Sequence, residues 1–89
     1  MIDDIRNYFF LLEKAHFEIL NKYLTGVVKI TEVEEFGNKI EKIRSLLDSF
    51  ETNEENLLEI AKYKSKVQHF YTEIMEDEEL LDMAYSNNL

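Results

Sequence analysis

From Leu57 to Tyr85, positions alternately three and four apart are occupied by Leu57, Ile60, Lys64, Val67, Tyr71, Ile74, Glu78, Leu81 and Tyr85, so that only Lys64 and Glu78 interrupt an apolar seam. Residues so spaced stack on one side of an α-helix. The pattern predicts a long third helix over residues 53–86, roughly 50 Å from end to end at the standard helical rise. Its C-terminal part outreaches the shorter helices predicted before it. The apolar residues there need cover, from the chain folding back, from a second copy or from a partner.

The first helix is predicted over residues 3–24, with Thr25-Gly26 ending it because glycine tolerates positive φ. Its seam is Ile2, Ile5, Phe9, Leu12, His16, Ile19 and Tyr23, and a flanking row of Phe10, Phe17, Leu20 and Leu24 widens the apolar face. The second helix is predicted over residues 32–50, with Val33, Phe36, Ile40, Ile43, Leu47 and Phe50 as a narrow stripe. Residues 26–30 read as a connector whose valines cover the core, or as an early turn of that second helix.

Thr31-Glu32-Val33-Glu34 and Thr52-Asn53-Glu54-Glu55 both place Thr at N-cap and Glu at N3, the signature of a capping box. They set the expected starts of the second and third helices. Gly37 costs about 1 kcal/mol relative to alanine inside a helix, which points to a neighbouring helix passing close by. Glu76-Asp77-Glu78-Glu79 is where the third helix can break, with Asp77 capping a short fourth helix that carries Leu80, Leu81, Met83 and Ala84. Residues 86–89 are expected to fray.

Short connections make successive helices antiparallel. The expected fold is therefore all-α: one domain, residues 1–89, forming a small antiparallel three-helix bundle with a long third helix that breaks, if at all, near residues 75–79. The absence of proline and the presence of only two glycines agree with it.

Charge changes the picture more than composition does. The net charge is −9. Residues 1–50 hold nine acids and seven bases, whereas residues 51–89 hold ten acids and three bases. An acidic C-terminal half argues against nucleic acid, whose phosphates need clustered Lys and Arg, and favours a protein partner with a basic surface. Without cysteine there is neither a disulfide nor a thiolate metal site. The longest apolar run, residues 8–12, is too short for a membrane span. Asp3 and Asp4 stand where a secretory signal carries bases, so the expected location is cytoplasmic.

Candidate chemistry is sparse. Glu13-x-x-His16 has the spacing of one half of a di-metal site, yet His69 has Lys66 where the second glutamate would stand. The alternative is a core histidine hydrogen-bonded to Glu13 or Glu41. No catalytic residue, metal site or cofactor is assigned. Tyr8 and Leu11 turn away from the first helix's seam, and residues 73–82 hold a dense row of acids.

The expected role is a non-enzymatic protein-interaction module that binds and inhibits, masks or adapts a basic partner. Immunity proteins, antitoxins, phage inhibitors and secretion co-chaperones share its size and charge. Its expected contact residues are Tyr8, Leu11, Glu76, Asp77, Glu79, Leu80, Asp82 and Met83. The alternatives are a homodimeric structural protein and, more remotely, a metal-binding protein using Glu13 and His16.

Overall fold

The computed structural model describes residues 2–87. Four helices follow one another: α1 (Ile2–Leu24), α2 (Ile30–Ser49), α3 (Leu57–Met75) and α4 (Glu78–Asn87). Arg6 pairs with Glu59, His16 with Glu73 and Tyr23 with Glu79, so the chain direction is the same in α1 and in α3–α4. Lys22 pairs with Glu32 and Lys42 lies over Tyr8, so α2 runs the opposite way. The result is an up-down-up bundle, 48 × 17 × 16 Å, in which α2 packs against all three other helices.

The third helix is two helices, and the reason lies in the phase of its apolar residues. Continued straight past Ile74, the seam would bring Glu78 and Tyr85 to the core. Glu76 instead leaves the helix, and the Asp77 carboxylate accepts the Leu80 backbone N–H at 3.0 Å. That cap starts α4 with a new rotation. Leu80 and Ala84 become fully buried, while Glu78 and Tyr85 face solvent.

The connector after α1 covers what α4 leaves open. Gly26 adopts φ +78°, the left-handed conformation expected of it. Val28 and Ile30 then turn into the core. The Asn87 side-chain amide donates to the Gly26 and Val28 carbonyls at 3.0 and 2.8 Å, tying the end of α4 to this connector. Ser86 and Asn87, expected to fray, are thus helical; Asn88 and Leu89 lie outside the described residues.

Both expected threonine caps are corrected. α2 begins two residues early, at Ile30, where Ile30 and Val33 are both buried. Glu32, rather than Glu34, reaches back to accept the N-cap backbone N–H, that of Lys29, at 3.0 Å. Thr31 is simply an exposed first-turn residue. α3 begins four residues late because Asn53 and Asn56 bond each other's backbone. The Asn53 side chain also accepts the Glu55 N–H. Such local loops compete with helix formation.

Gly37 stays inside α2, and its expected close neighbour is Met75. A β-carbon at position 37 would lie 3.1 Å from the Met75 methyl group. No polar or charged residue is buried among the described residues, and the core draws aliphatic and aromatic side chains from every helix.

Candidate interaction surfaces

Two features dominate the surface. The first is an acidic pole built by the last turn of α3 and by α4. Six acids, Glu73, Glu76, Asp77, Glu78, Glu79 and Asp82, fall in residues 73–82 without a base among them. Glu73 is engaged with two histidines and Asp77 is the helix cap. Glu76, Glu78, Glu79 and Asp82 are exposed, and none of them enters an ion pair among the described residues. Glu76 accepts a hydrogen bond from the Thr72 hydroxyl and Glu79 one from the Tyr23 hydroxyl, each at 3.1 Å. These neutral donors orient the carboxylates without cancelling their charge. The Glu79 bond and burial both raise the Tyr23 hydroxyl's pKa, burial being the larger cause.

The second feature is an apolar stripe on the outer side of α1. Phe10 and Phe17 are each 65% exposed and Leu24 is 80% exposed. They are spaced by seven residues, so they align along the helix with the half-buried Leu20 between the last two. The seam one residue earlier is occupied with the core, where Phe9 stacks against Phe70 and meets Tyr63 at a tilt. A helix turns by about 100° per residue, so this outer row faces away from α2. α4 packs on α2 and α3 and leaves the row uncovered.

Of the residues expected to contact a partner, Glu76, Glu79 and Asp82 share the acidic pole. Asp77 is there too, in a structural role. Leu80 is a correction: it is 0% exposed, because the new helix phase turns it inward, and it offers no surface. Met83 is half-buried against the core. Tyr8 and Leu11 are not brought to this pole. They sit in the N-terminal half of α1, where Tyr8 is half-buried beneath the Lys42 ammonium, 5.0 Å from the ring centre, and Leu11 is half-exposed.

The sequence reading missed two polar clusters that join α1 to α3. The Arg6 guanidinium grips both Glu59 oxygens, at 2.7 and 2.9 Å, and the Tyr63 hydroxyl donates to the same carboxylate at 2.6 Å. The Arg6 bonds, and then the Tyr63 bond, pull the Glu59 pKa down to about 2. In the other cluster the Glu73 carboxylate lies between His16, at 3.0 Å, and His69. His16 stacks on Phe70 with ring centres 4.2 Å apart. His16, expected in the core, lies instead at its edge, partly exposed, and the carboxylate it meets is Glu73 rather than Glu13 or Glu41. Only the i, i+4 relation of His69 and Glu73 was visible in the sequence.

The exposed Glu13 is not part of that cluster. Among the described residues, no group of three or more His, Asp or Glu side chains is placed to hold a metal ion. A groove of about 260 Å³ between α2 and α3, lined by Arg44, Leu47, Asp48, Lys64 and Val67, touches neither histidine. No helix of the described residues is long and apolar enough to cross a membrane. The chain matches no protein-family model, no curated protein and no solved structure.

Proposed function

We propose that this chain is a non-enzymatic, cytoplasmic protein-interaction module whose acidic pole docks on a basic protein and masks or adapts it, in the manner of an immunity protein, an antitoxin or a secretion co-chaperone. The observation that carries the reading is the group of exposed carboxylates of Glu76, Glu79 and Asp82, two of them oriented by neutral donors and none in an ion pair among the described residues. Charges held in this way steer a partner of opposite sign and accelerate its association. Tyr85, 61% exposed on the same helix, supplies an aromatic contact of the kind enriched at interfaces.

The test is affinity capture with the wild type and a Glu76→Gln, Glu79→Gln, Asp82→Asn variant, which leaves the Asp77 cap intact. Basic proteins retained by the wild type at low salt should be lost from the variant and released by salt. With a captured partner in hand, the variant's association rate should fall by roughly tenfold or more at low ionic strength. Retention of the same proteins by both chains, indifferent to salt, would contradict the reading.

A further inference from the structure

We infer that the outer stripe of α1 is a homotypic interface, on which a second copy of this chain packs antiparallel across a two-fold axis. The inference goes beyond the docking role of the acidic pole and does not depend on it. Area is the first argument. At roughly 200 Å² per aromatic side chain, Phe10 and Phe17 together leave about 250 Å² in water on each copy. Leu24, with Val27 just beyond the turn, extends the apolar patch to roughly 450 Å², within the range of the largest patch on a monomer, which is often a functional one. That is a little over half of the roughly 800 Å² that each partner contributes to a standard interface, so the pair it supports is a weak one that forms with rising concentration.

Spacing is the second argument. Phe10, Glu13, Phe17, Leu20 and Leu24 follow one another at steps of three and four, the repeat by which one helix meshes with another like itself. α1 therefore carries two seams about 100° apart, the inner one closed by α2 and α3 and the outer one open.

Charge selects the occupant and its direction. Residues 10–24 contain Glu13, Glu18, Lys14 and Lys22, a net charge of zero on a chain of −9. A basic protein gains nothing there that the acidic pole does not offer better. A second copy meets this neutral segment with the least repulsion. Parallel pairing would set Glu13 against its own copy within the seam and place the two acidic poles side by side. Antiparallel pairing separates the poles to opposite ends. It also brings Lys66, over Phe9 at the N-terminal half of α1, level with Glu79 of the other copy, which lies beside Tyr23 near the far end. The two-fold makes that exchange occur twice.

Light scattering behind size-exclusion chromatography, from micromolar to millimolar protein, tests the interface. The wild type should approach twice 10.7 kDa with rising concentration. Phe17→Glu should stay monomeric with unchanged helicity and melting temperature, since the side chain is exposed. Because the chain lacks cysteine, single-cysteine variants report direction. Lys14→Cys mixed with Asn21→Cys should cross-link more readily than either variant alone. A wild type monomeric throughout, a dimer indifferent to Phe17→Glu, or preferential like-with-like cross-linking would overturn the inference. The charge-neutral variant of the acidic pole should dimerise as the wild type does, so a missing basic partner and a missing dimer are separate outcomes.

Discussion

The Glu59 carboxylate shows how one side chain joins two helices. It belongs to α3, yet its strongest partner is Arg6 of α1, and Tyr63 one turn further along α3 completes the site. Its folded pKa of about 2 lies below the ordinary 4.5. A carboxylate depressed in this way contributes stability that is full above the unfolded pKa and is lost as pH falls through the folded one. The urea-midpoint difference between wild type and Glu59→Gln should therefore be largest above pH 4.5 and shrink toward pH 2. A difference that stays constant across that window would show that the Arg6 pair does not act through charge. At the same scale, Leu80 and Glu78 show how little a residue's type says about its position. A shift of helical phase exchanges their surroundings.

At the scale of the elements, the apolar rhythm was the most legible signal. It placed α1 within a residue of its observed start and marked the buried face of α2. On α3 it found Ile60, Val67 and Ile74 but passed over the buried Phe70, and Leu57 and Lys64 of its seam are exposed. Helix ends were less legible, because several residues compete for each one. Two Thr-x-x-Glu matches pointed to starts that neither helix uses. At one, burial of Val28 and Ile30 drew the helix forward; at the other, Asn53 and Asn56 satisfied each other's backbone first.

The break at Asp77 was legible as an option, and Leu80 with Ala84 decided it by fitting the core better than Glu78 with Tyr85. Asp77→Ala should cost about 1 kcal/mol in urea unfolding. It should also speed amide exchange in α4 more than in α1 or α2. Unchanged exchange over residues 78–87 would mean that packing alone holds the break.

The whole molecule answers the question posed by the long acidic helix. Its end is covered by the chain itself, through the bend at Glu76–Asp77 and the connector bearing Val28. Besides Leu57 and Leu58 at the start of α3, the apolar surface left over includes a row on α1, Phe10, Phe17 and Leu24, that reads in the sequence as a broadened core face. No residue in that row announces its exposure. Exposure follows from how the helices are shared out: α4 packs mainly on α2 and α3 and meets α1 only near its end, through Tyr23 and Glu79, so the outer row of α1 has no helix against it. The fold class was therefore open to sequence reasoning, and the acidic pole was visible as a run of acids. The apolar surface was not, because it depends on which helix each face meets.

The central claim is that this division of apolar residues is real: Leu80 and Ala84 serve the fold, and Phe10, Phe17 and Leu24 serve assembly. Paramagnetic relaxation of side-chain NMR signals by a soluble, neutral gadolinium complex, recorded at rising protein concentration, tests it most directly. The account predicts that Leu80 and Ala84 are protected at every concentration, while Phe10, Phe17 and Leu24 are exposed in dilute solution and become protected as the chain pairs. An α1 stripe equally exposed at all concentrations, or Leu80 and Ala84 open to the probe in dilute solution, would contradict it.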